Sequence, residues 1–132
     1  MLKSLRFRKF RRDLNKANNK LSVLAISLLK LQEESGELAH LYMRLEAVRA
    51  ERKTINDEYK SKKKEIKAAK DSSSKKTIHE NMGILYKRRD VLNTNIRHLA
   101  SDINREEREF RKSRSKVTKA LRKFSKALRF RA

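Results

Sequence analysis

The sequence predicts an all-α protein, an elongated antiparallel helical hairpin of coiled-coil-like character, and three observations predict it. Helix breakers are nearly absent: the 132 residues include no Pro and two Gly. Charged residues make up 40% of the chain, and the dominant types, Lys, Arg, Glu, Leu and Ala, are good helix formers. Apolar residues recur by threes and fours almost from end to end, the spacing of one face of a helix.

Residues 1–20 read as a basic amphipathic arm. Lys3-Ser4-Leu5-Arg6-Phe7-Arg8 is nearly repeated by Lys126-Ala127-Leu128-Arg129-Phe130-Arg131 at the other end. An Arg-rich, acid-poor start also resembles a mitochondrial targeting peptide. Against that reading, the apolar spacing runs without a break into the helix that follows.

Residues 21–70 form the first long helix. Its stripe is read as Phe7, Phe10, Leu14, Ala17, Leu21, Leu24, Leu28 and Leu31, then Leu38, Leu41, Leu45, Val48, Ile55, Tyr59 and Ile66. Gly36 is the one place where this element would bend, and a break there would make a three-helix arrangement. Within the stripe, Leu21 to Leu31 is apolar over more of its circumference than one partner helix covers. That excess predicts self-association or a contact in a larger assembly.

A turn is predicted over 71–76, at Asp71-Ser72-Ser73-Ser74, with Thr77 and Glu80 spaced as a capping box opening the second helix. Residues 77–104 are the core of that helix, carried by Ile78, Met82, Leu85, Leu92, Ile96, Leu99 and Ile103. Residues 105–132 are a basic C-terminal arm that continues the stripe through Phe110, Val117 and Phe124. A turn centred near residue 73 brings together residues whose numbers sum to about 146, so that Ile66 faces Glu80 and Leu31 faces Ser115. Both cationic ends then come to one pole, and the first helix outruns the second by roughly a dozen residues, its stagger set by that register.

The formal net charge of +21 is unevenly distributed. Residues 1–20 contribute +7, residues 60–76 contribute +6 and residues 105–132 contribute +9, with the rest nearly balanced. The lysines at the tip (Lys60, Lys62, Lys63, Lys64, Lys67, Lys70, Lys75 and Lys76) lack neighbouring Phe, whereas the arms interleave Arg with all five Phe. Guanidinium forks bind phosphate bidentately and ammonium groups act as hydrated point charges. The candidate nucleic-acid-binding residues are therefore those of the arms: Lys3, Arg6, Arg8, Lys9, Arg11, Arg12, Arg108, Arg111, Lys112, Arg114, Lys116, Lys119, Arg122, Lys123, Lys126, Arg129 and Arg131.

Solubility calls for a net charge of magnitude about 2–8, and a larger excess of one sign destabilises a compact chain unless a polyanion relieves it. The expected function is non-enzymatic, largely sequence-independent binding of DNA or RNA. Two other readings use the same residues: attachment to an anionic membrane surface through paired cationic amphipathic helices, and a structural or scaffolding part in a viral, phage or ribosomal assembly. Serines beside basic residues, Ser113, Ser115 and Ser125, are sites where phosphorylation would weaken polyanion binding.

Enzymatic chemistry finds little support. His40, His79 and His98 are isolated, no acidic cluster has metal-ligand spacing, and neither Gly belongs to a phosphate loop. No cofactor, metal or small-molecule substrate is expected. The acidic residues read as an exposed helix face, with Glu58 and Lys62 spaced for an ion pair. The absence of Cys suits an intracellular, reducing compartment, whether cytoplasm, nucleoid or virion interior, with the mitochondrial matrix as the alternative its Arg-rich start allows.

Overall fold

The computed structural model describes residues 2–129, with side chains from Ser4 onward. Two helices account for nearly all of it: α1 runs Leu2–Ala68 and α2 runs Ser72–Ala127. They pack against each other as an antiparallel hairpin, as the periodicity predicts. Two compact units divide it. One combines residues 1–38 with 105–132 and so holds both arms; the other is the hairpin formed by residues 39–104.

The turn is tighter and earlier than predicted, and α2 begins five residues before Thr77. Asp71 is the N-cap, its Oδ1 accepting from the Ser73 N–H at 3.1 Å. The Lys75 N–H donates to the Asp71 carbonyl oxygen at 3.1 Å. A carboxylate is as good a cap as serine and also complements the positive end of the helix dipole. The serines thus occupy the first helical turn, and the Thr77 hydroxyl donates back to the Ser73 carbonyl oxygen at 3.2 Å, so no capping box forms there.

No break occurs at Gly36, which sits inside α1 with ordinary negative φ. A Cβ built on Gly36 or Gly83 meets nothing within 4 Å. Neither glycine serves a close approach, so each only adds unfolded-chain entropy. Gly36→Ala and Gly83→Ala are each expected to stabilise the hairpin by about 0.5–1 kcal/mol, read as a rise in the urea midpoint with unchanged slope.

In the 39–104 unit the core is Leu45, Leu92, Leu99 and Ile103, all nearly inaccessible. Leu45 and Leu99 are both buried and their numbers sum to 144, as do Leu24 and Ala120 in the other unit, close to the register expected. Polar pairs pin it. Arg52 Nη1 donates to Asn93 Oδ1 at 3.1 Å across the partly buried seam, and Arg88 Nε donates to Glu51 Oε1 at 3.2 Å on one flank. Arg89 lies over the rings of Tyr59 and Tyr86, 5.4 and 4.9 Å from their centroids, while Lys63 covers Tyr59 at 5.3 Å. At the tip Lys62 pairs with Glu65 at 3.2 Å, whereas the sequence spacing pointed to Glu58.

In the unit of the arms the seam differs from the predicted stripe. The positions turned inward are Asp13, Ala17, Lys20, Leu24, Ser27, Leu31, Glu34 and Leu38 on α1, facing Glu106, Phe110, Ser113, Val117, Ala120, Phe124 and Ala127 on α2. Phe7, Leu14, Leu21 and Leu28, expected in the stripe, are exposed, Phe7 by 64%. Ser113 is buried at 4%, which withdraws it from modification, while Ser115 and Ser125 stay exposed.

Candidate nucleic-acid interface

The seam of the arms sorts every other side chain by position. A residue just before a seam residue lies about 100° to one side of it, and a residue just after lies about 100° to the other. Because α1 and α2 run antiparallel, the preceding residues of both helices share one flank of the hairpin and the following residues share the other. The Glu51–Arg88 pair obeys this rule, since both precede a seam residue, Arg52 and Arg89.

On the first flank of the arms, α1 presents Arg12, Lys16, Asn19, Val23, Ile26 and Lys30, and α2 presents Lys112, Lys116, Lys119, Lys123 and Lys126. Eight of these eleven positions are cationic. The α2 row is lysine at every position over 14 residues, about 21 Å of helix.

Where the two helices meet on this flank, Lys16, Lys20, Lys123, Lys126 and Ala127 line a shallow groove of about 320 Å³. Lys20 is half-buried at a seam position, its aliphatic stem covered and its ammonium free to reach the rim. No acidic side chain lines the groove. Lys112 is the exception along the row, pairing with Glu109 at 3.4 Å.

The expected site residues separate into groups. Lys112, Lys116, Lys119, Lys123 and Lys126 fall on one flank together with Arg12. Arg108, Arg122 and Arg129 recur by sevens on the outer face of α2, away from the seam, and Arg111 and Arg114 lie on the second flank. Arg6, Arg8, Lys9 and Arg11 are exposed on the first turns of α1. In the 144 register these turns extend past Arg129, the last described residue of α2. The Lys3 side chain and Arg131 lie outside the described residues, as does Phe130.

Lys16 and Lys20 were missed by sequence reasoning, which favoured arginine with phenylalanine. The signal that finds them is their position: one just before a seam residue, the other within the seam. Phe110 and Phe124 are half-buried in the seam, as core residues should be.

His40, His79 and His98 are exposed, and among the described residues no three His, Asp or Glu side chains are grouped to hold a metal ion. No described helix is long and apolar enough to cross a membrane. Comparison with protein-family models, curated proteins and solved structures finds no match.

Proposed function

We propose that the protein binds nucleic acid without sequence preference, through the lysine flank of its paired arms. The observation that carries this reading is the groove lined by Lys16, Lys20, Lys123 and Lys126 with no acidic residue among them. Four ammonium groups held together without counter-charge repel one another, and a row of phosphates relieves that repulsion. The spacing suits such a row. One strand of B-form duplex presents a phosphate every 3.4 Å or so, about six along the 21 Å of the α2 lysines. A lysine row offers point charges and no base-reading forks, which supports binding by backbone alone.

The test is a salt titration of binding to a random-sequence duplex, with a single strand of equal length alongside. Engagement of about six phosphates predicts a slope of log K on log salt near −5, and a hundredfold or greater loss between about 50 and 200 mM salt. Binding that ignores salt, or none at 150 mM, overturns the proposal.

One observation favours a second reading, attachment to an anionic membrane surface. Phe7 is 64% exposed on the cationic first turns of α1, so the apolar face of that segment is open to insert into a lipid interface. Co-sedimentation with vesicles containing phosphatidylserine separates the two. Lipid binding that is lost in Phe7→Ser and outcompetes the oligonucleotide would replace the first reading with the second.

A further inference from the structure

The second flank of the arms has the opposite chemistry. The residues that follow seam positions on α1 are Leu14, Asn18, Leu21, Ala25, Leu28 and Gln32, and on α2 they are Thr118, Leu121, Ser125 and Leu128, with Arg114 closing the strip. All ten are exposed, the five leucines by 41–50%. None of the ten is charged, in a chain whose residues are 40% charged and between arms of +7 and +9.

The packing within the arms is inverted as well. Their seam buries Ala17, Leu24, Ser113 and Ala120, three of them small, while the larger leucines face outward. The outward α1 row alternates by four and three over 18 residues, which is a second helix-packing stripe beside the first.

We infer that this strip is where a second copy of the chain docks, pairing two sets of arms about a two-fold axis into a four-helix bundle. Three points favour a second copy over other occupants. The first is electrostatic: two chains of +21 repel, and the uncharged flank is the one contact that brings no cations together and turns both lysine flanks outward. The second is area. Ten residues at these exposures present roughly 700 Å² per copy, close to the ~800 Å² per partner of a standard stable interface.

The third is composition. Small Ala25, Ser125 and Thr118 alternate with leucine, so a self-complementary surface can interdigitate, and Asn18 and Gln32 can hydrogen bond across it. A lipid-facing strip would instead be rimmed by cations and free of side-chain amides. Val23, Ile26 and Leu29, also exposed, lie off this strip and take no part.

The inference does not depend on nucleic-acid binding, and its test excludes nucleic acid. Sedimentation equilibrium of the nuclease-treated full chain in about 0.5 M salt, where surface charges are screened within a few ångströms, is expected to give twice the 15.6 kDa chain mass. The double variant Leu21→Gln with Leu121→Gln should weaken the dimer at least tenfold with helicity by circular dichroism retained, since both side chains are exposed in the single chain. Ile26→Gln should leave the dimer intact. A monomeric wild type overturns the inference. So does a dimer indifferent to the double variant, or one that Ile26→Gln dissociates equally. A monomer whose vesicle binding needs Leu21 and Leu121 would identify the strip as a lipid face and overturn it too.

Discussion

Reversing Lys16, Lys20, Lys123 and Lys126 to Glu is expected to weaken binding to random-sequence duplex at least a hundredfold near 150 mM salt. The salt slope should fall by about four, one unit for each phosphate left without its lysine. The four residues share one groove, so the loss should far exceed that from reversing Lys62, Lys63 and Lys64 at the tip, for which less than about fivefold is expected. There Lys62 is already paired with Glu65 and Lys63 lies over Tyr59. Reversal of Arg6, Arg8, Arg122 and Arg129 should fall between the two, because Arg122 and Arg129 occupy the outer face of α2. Equal losses in all three sets, measured by fluorescence anisotropy, would mean that diffuse charge binds and that no groove is involved.

Leu92→Ala should destabilise the hairpin by about 3 kcal/mol, the usual cost of an emptied, well-packed leucine site. Leu92 is the largest side chain that is fully buried, at 2% exposure, and a two-helix core has few others to compensate. Against a typical total of about 5–15 kcal/mol, and with one stripe per helix, that is a large share. Urea unfolding followed by circular dichroism should show a much lower midpoint. Met43→Ala, at a site 69% exposed, should change stability by less than about 0.5 kcal/mol. A similar midpoint for the two variants would show that the seam contributes little to stability.

Much of this architecture is legible in particular residues. Leu38, Leu41, Leu45 and Val48 are the only apolar choices at their spacing, so the seam of the 39–104 unit is predictable from α1 alone, and α2 through Ile78, Leu92, Leu99 and Ile103 is equally unambiguous. The arms are harder to read because two apolar rows run side by side, one through Leu14, Leu21 and Leu28, the other through Leu24 and Leu31. Hydropathy favours the row with more leucine. A continuous helix, however, cannot change phase without a local distortion, and α1 is continuous through Gly36. Counting back from Leu45 by fours and threes lands on Leu41, Leu38, Glu34, Leu31, Ser27, Leu24, Lys20 and Ala17, the inward positions observed. The candidate groove was legible only after that phase was known, since the same count identifies Lys16 and Lys20.

Composition and spacing by themselves determined that the chain is helical, that it folds back near residue 71, and that its two cationic arms come together in one unit, because helix propensity and a 3–4 apolar period are local properties of the chain. The tertiary structure alone decided which apolar row packs inward, and therefore that lysines fill one flank of the arms while the other carries no charge from Leu14 to Gln32. The physical reason is that only one phase of each helix can meet its partner, and that phase is set by contacts between residues far apart in sequence.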